Sequence, residues 1–148
     1  MEPQDTTGVA APFQQQPSSR ILIVEDDLFI RRMNVEALLR RGYEVDSAED
    51  GSVAWEALQD IRYDLMVTDN DMPNLCGIDL VKKLRALGVT LPVILASGMT
   101  QQNSDSLASL DLAAILHKPY TSSKLVQVVQ SVLHAARVAH GQPEPLPV

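Results

Sequence analysis

Cysteine occurs once, at Cys76, so the chain forms no internal disulfide, and His117, His134 and His140 do not stand at metal-ligand spacing around it. A zinc site is not expected. Basic residues are the scarcer sign: twelve against nineteen acidic ones give a net charge of −7, with no arginine- or lysine-rich stripe interleaved with aromatics. Direct nucleic-acid binding is disfavoured. No apolar run approaches the roughly 20 residues needed to cross a bilayer, and the N-terminus lacks a basic segment and a signal-like apolar block. The expectation is a cytoplasmic protein without membrane insertion. Aromatics are few, at 4%. With 45% hydrophobic and 21% charged residues, the 148-residue chain has the composition of one ordinary soluble domain.

Residues 1–19, rich in glutamine, proline and small polar side chains, lack apolar periodicity and read as a flexible tail. Residues 141–148, GQPEPLPV, read as a second one, leaving a domain over residues 20–140. Within it, RILIVED from Arg20 is a short apolar run bounded by acids, as in a strand buried on both faces. A helix is predicted from about Asp27 to Arg41, with Ile30, Met33, Ala37 and Leu38 inward and Gly42 as its stop. YEVDSA alternates like a strand nearer the sheet edge. Val53, Ala54, Ala57, Leu58 and Ile61 share one face of a second helix.

A third strand over Asp64 to Asp69 leads into a loop and a helix from about Gly77 to Leu87. LPVILAS is the fourth strand, a weakly patterned polar helix falls between Gln101 and Leu110, and LAAIL from Leu112 is the fifth strand. Thr121 is placed to cap a last helix with Leu125, Val128, Val129, Val132, Leu133 and Ala136 on one stripe. Five strands alternating with five helices imply an α/β, doubly wound parallel sheet with helices on both faces. Ligands of such sheets bind beyond the carboxyl ends of the strands.

The first strand ends in Glu25, Asp26 and Asp27, the third in Asp69, the fourth in Ser97 and Gly98, and the fifth in His117, Lys118 and Pro119. If Glu25, Asp26 and Asp69 approach within ~4 Å, each pair repels by about 4 kcal/mol at an effective dielectric near 20. A small hard cation offsets this, and a site with few carboxylates and room for a phosphate suits Mg2+ better than calcium. One ammonium leaves such a cluster negative, so Lys118 suits a phosphoryl oxygen or the Asp69 carboxylate. Ser97 offers a hydroxyl donor. Taken singly, each residue has a plainer reading: Asp69 as a loop cap, Glu25 and Asp26 as helix N-terminal charges, Ser97 as a turn residue and Lys118 as a solvated lysine.

Glu25-Asp26 after ILIV, the Asp69-x-x-Met72-Pro73 loop with Gly77, Ser97-Gly98 after PVILA, and Lys118-Pro119-Tyr120 closely resemble the receiver domain of two-component response regulators. Each piece is common alone; all four in order, each at a strand end, are specific. The resemblance spans about Arg20 to His140 and implies a flavodoxin-like strand order 2-1-3-4-5. It implies Asp69 as phosphoacceptor and Mg2+ held by Asp26, by Glu25 through water, by Asp69 and by the backbone carbonyl of Asp71. Ser97 would bond the phosphoryl group and Lys118 would pair with it, behind a cis bond to Pro119.

The chemistry implied is phosphoryl transfer from a histidine kinase or histidine phosphotransfer protein, with the domain catalysing its own modification and hydrolysis rather than acting as an enzyme on other substrates. Charge-assisted bonds to Ser97 and Lys118, roughly 3 to 6 kcal/mol together, compare with the ~5.5 kcal/mol that throws a two-state switch. The loop after Ser97 is expected to move and change a surface read by a downstream protein, with a homodimer as a further option. Ile115 stands where the family commonly has a switch aromatic, and its stiff χ1 and missing hydroxyl alter that device. Asp71 adds an acid at the mouth of the site.

Two other functions fit parts of the pattern. Asp69-Asn70-Asp71 resembles the nucleophile and acid pair of haloacid-dehalogenase-like phosphatases, although that motif ends a first strand and this one a third. A phosphate-independent pseudo-receiver is opposed by the intact acidic, serine and lysine positions. With only eight residues beyond His140, output is expected through a partner, whether the chain is a stand-alone regulator or is cut from a hybrid kinase.

Overall fold

A computed structural model describes residues 18–98 and 107–139. Five parallel strands, β1 (Arg20–Val24), β2 (Glu44–Ala48), β3 (Leu65–Asp69), β4 (Val93–Ser97) and β5 (Ala114–His117), form one sheet in the order β2-β1-β3-β4-β5. The helices described between and after them are α1 (Leu28–Leu39), α2 (Gly51–Asp60), α3 (Gly77–Ala86) and α4 (Ser122–Ala139). The doubly wound order expected from the sequence is the one observed. The expected helix between Gln101 and Leu110 and the two expected tails fall largely outside the described residues.

Strand side chains alternate between the two faces of the sheet, and the core divides accordingly. Ile21, Ile23, Leu65, Val67 and Leu116 pack with Leu38 of α1 and with Leu125 and Val129 of α4. Leu22, Val24 and Met66 face the other way, onto Ala54 of α2 and Leu80, Val81 and Leu84 of α3. The inner strands β1, β3 and β4 are buried almost throughout, whereas β2 and β5, at the two edges, are partly exposed.

Helix starts follow local chemistry. Asp27 caps α1 by accepting from the Ile30 N–H at 3.0 Å, Asp50 caps α2 through the Val53 N–H at 2.9 Å, and Thr121 Oγ1 accepts from the Lys124 N–H at 3.0 Å. After α1 the chain turns through Gly42 at φ 92°, a left-handed conformation that glycine adopts without steric cost.

Two local expectations change. The buried positions of α1 are Asn34 and Leu38, and Met33 is 51% exposed instead of inward. The helix is rotated so that an amide, bonded across the core, occupies the stripe. Ser19, assigned to the tail by composition, is buried, and its carbonyl accepts from the Glu44 N–H at 3.0 Å. Among the described residues, no helix is long and apolar enough to cross a membrane.

Candidate functional site

All five strands run the same way, so their carboxyl ends gather at one edge of the sheet. There Glu25 and Asp69 are each 3% exposed and Asp26 is exposed, and one carboxylate oxygen from each lies within 4.8 Å of the others. The backbone of the acidic turn is fixed from α1: Arg31 Nη1 donates to the Glu25 carbonyl at 2.7 Å and to the Asp26 carbonyl at 3.4 Å. Glu25 Oε2 in turn accepts from the Asp27 N–H at 3.2 Å.

On the opposite side of Asp69 stands Lys118, its Nζ 2.5 Å from Oδ1. The contact is an ion pair by distance. Oδ1, fully buried, receives no aligned hydrogen bond among the described residues, which leaves an acceptor lone pair to be satisfied. Ser97 is buried at the end of β4, and its carbonyl accepts from the Lys118 N–H at 3.0 Å. The Lys118-Pro119 peptide bond is cis, as the sequence resemblance implies.

Burial, with repulsion from Asp69 and a bond to Asp26 adding to it, pushes the Glu25 carboxyl from its ordinary 4.5 up to about 7. Burial also raises Asp69, against the opposing pull of Lys118 and the Asp71 backbone N–H. Burial alone would lower Lys118, but Asp69, Glu25 and Asp71 outweigh it and hold the ammonium above its ordinary value. A charged lysine thus stands beside carboxylates whose ionisation burial opposes first of all. Hard carboxylate oxygens from Glu25, Asp26 and Asp69, facing a single ammonium at Asp69 Oδ1, fit Mg2+.

The loop after β3 is shaped by its own side chains. Asn70 Oδ1 accepts from the Ile78 N–H at 3.1 Å, which ties the loop to the start of α3. At Gly77 a Cβ would lie 2.5 Å from the Asp69 carbonyl oxygen, so only glycine lets α3 approach the strand end this closely. Asp71 is exposed at the rim. Ile115, in register with Leu95, is 39% exposed on edge strand β5, one strand away from Ser97 and clear of the acidic cluster.

The structure therefore brings Glu25, Asp26, Asp69 and Lys118 together, with Ser97 bonded to the lysine's backbone. Sequence reasoning passed over Arg31, Asn70 and Asn34. The amide Nδ2 of Asn34 donates to the Tyr120 hydroxyl at 2.8 Å. A polar residue inside the apolar stripe of α1 was the available signal for it.

The sequence profile of the response regulator receiver domain matches residues 21–130. The response regulator receiver protein CpdR of Brucella abortus (strain 2308) is 36% identical over 119 residues, which are 79% of this chain and 98% of that protein. The response regulator MprA of Mycobacterium ulcerans (strain Agy99) is 32% identical over 123 residues; they are 82% of this chain but 53% of MprA, so the chain spans about half of such longer relatives. Among solved structures, chemotaxis response regulator CheY4 of Vibrio cholerae superposes with a TM-score of 0.73 at 28% identity, covering 78% of this chain and 99% of that one. Response regulator protein TrrA of Thermotoga maritima, solved in complex with Mg(2+)-BeF, superposes with a TM-score of 0.69 at 30% identity, covering 77% and 98%.

Proposed function

The chain belongs to the response regulator receiver domain family, and we propose that it accepts a phosphoryl group from a phosphohistidine on the carboxylate of Asp69. The observation that carries this reading is the setting of that carboxylate: buried at a strand end, between an acidic pair and a lysine ammonium. An Asp69 oxygen attacks phosphorus, the phosphorus–nitrogen bond breaks, and the electron pair leaves with the histidine nitrogen of the donor. A carboxylate is a weak nucleophile, and no base is required, so positioning and charge neutralisation supply the catalysis.

Lys118 neutralises charge on the phosphoryl oxygens as they arrive, and Ser97 donates its hydroxyl to one of them. Glu25, Asp26, Asp69 and the Asp71 carbonyl would hold Mg2+, which when bound supplies further neutralisation of phosphoryl charge. The aspartyl phosphate carries close to two negative charges at pH 7. It draws Ser97 and Lys118 toward itself, and through Ile115 and the segment after Ser97 it changes the surface offered to a downstream protein or to a second copy. The donor is a histidine kinase or histidine phosphotransfer protein in the cytoplasm, and the chain acts on no other substrate.

Intact mass tests the reading. Acetyl phosphate with Mg2+ is expected to add about 80 Da, and the adduct is absent without Mg2+ and in Asp69→Asn. An unchanged mass under all conditions, with no beryllofluoride binding, rules out Asp69 as the acceptor.

A further inference from the structure

Three bonds pin the short connection between β5 and α4. The Lys118 N–H donates to the Ser97 carbonyl at 3.0 Å, the Tyr120 hydroxyl accepts from Asn34 Nδ2 at 2.8 Å, and Thr121 Oγ1 accepts from the Lys124 N–H at 3.0 Å. The first ties the connection to the neighbouring strand and the third starts the helix. The second reaches across from α1, and it is the one that local structure does not call for.

Asn34 is 3% exposed, one turn before Leu38 on the inward side of α1. Its neighbours there are the side chains of an apolar core that also takes in Val35 and Tyr120. Replacing both partners of a buried hydrogen bond by apolar groups of similar shape is nearly neutral or even stabilising. Stability therefore does not explain why an amide stands at this position. Tyr120 lies two residues beyond Lys118, and its phenol is raised chiefly by burial, against the bond from Asn34, with smaller contributions from the charges of Glu25, Lys118 and Asp69. The ring stands beside the site, and the amide holds its outer end.

We infer that the Asn34–Tyr120 hydrogen bond positions Lys118, fastening the β5–α4 connection to α1 so that the ammonium stays against Asp69. The inference rests on the reading of Asp69 as phosphoacceptor and extends it to a side chain on α1 outside every motif of the site. Asn34 touches no reacting atom; it is a positioning residue that acts through Tyr120 and the backbone. A misplacement on the order of 1 Å costs up to about a hundredfold in rate, so a loosened lysine has a measurable signature.

Asn34→Leu, Tyr120→Phe and the double variant test this, each also made in a Lys118→Ala background. Each single variant leaves one buried polar group unpaired and is expected to melt below the parent protein, and the double variant close to it, while in all three the rate of modification at saturating acetyl phosphate and Mg2+ falls about tenfold. The double variant is no slower than either single one, because the two remove one shared interaction. In the Lys118→Ala background the substitutions have no further effect. Parent-like rates, or an undiminished effect without Lys118, overturn the inference. The Lys118 side-chain nitrogen resonance gives an independent readout: in Asn34→Leu it is expected to move toward that of an exposed lysine, and an unmoved resonance overturns the inference. If the parent protein takes up no phosphoryl group, the reading of Asp69 fails, while this resonance still decides the role of Asn34.

Discussion

Burial lifts the Glu25 carboxyl from 4.5 to about 7, and the same cause raises Asp69 beside it. In both, the folded state holds the proton more tightly than the unfolded chain does. Each therefore favours folding at pH below its ordinary value, and that contribution is lost as pH rises, for Glu25 through about 7. Lys118, held above its ordinary 10.5, stays charged over this window and does not reverse the sign. In chelator, the denaturation midpoint is expected to fall from pH 5 to pH 8, and Glu25→Gln to flatten the fall; urea titrations at the two pH values measure it. An equal slope in the variant assigns the dependence elsewhere. The acids, the serine and the lysine were legible in the sequence because each ends a strand, and parallel strands place all their ends together. Asn34 was not, since an amide within a helix reads as a lapse of pattern until its partner, Tyr120, is brought to it by the fold.

Helices carry the next layer of dependence. Arg85, in the last turn of α3, donates from Nε to the Leu110 carbonyl at 2.7 Å, from Nη1 to Val89 at 2.9 Å and from Nη2 to Asp111 at 3.2 Å. One planar guanidinium thus joins the end of α3 to the turn that leads into β5. Arg85→Met keeps most of the aliphatic stem and removes every donor. It is expected to destabilise the fold by about 1–3 kcal/mol and to raise amide exchange over residues 107–112. Exchange unchanged there would show that the turn holds without the clamp. Periodicity located the helices well where a stripe is purely aliphatic, as in α4, where the expected Leu125, Val129, Val132 and Leu133 are buried, joined by Val126, while the expected Val128 and Ala136 are half-buried. In α1 it found the helix and the buried Leu38 but erred at one place, where the apolar Met33 is exposed and Asn34, bonded to Tyr120, is buried instead. The loop after β3 shows the same limit: Gly77 was visible as a glycine, but the backbone approach that demands it exists only once α3 is docked.

At the scale of the molecule, charge is the open account. Three carboxylates converge at one edge of a chain whose net charge is −7, and Lys118 is the only cation paired with them among the described residues. A cation that binds only the assembled cluster stabilises the folded state by about 2.7 kcal/mol at one hundred times its dissociation constant. For a domain of this size the gain is on the order of 10 °C in melting temperature. Thermal scans with and without Mg2+ are expected to show it, and Asp26→Asn to reduce it. No shift in the parent protein would remove Mg2+ from the site. The doubly wound class was legible because right-handed crossovers leave few ways to wind alternating strands and helices, and the strand order came with the resemblance to the receiver domain. The sheet also sets how the site comes into being: Glu25, Asp69, Ser97 and Lys118 stand far apart along the chain and meet only when β1, β3, β4 and β5 are laid side by side. An unfolded or half-assembled molecule has the aspartate without its surroundings, so, on the proposed role of Asp69, the yield of aspartyl phosphate becomes a census of intact sheets.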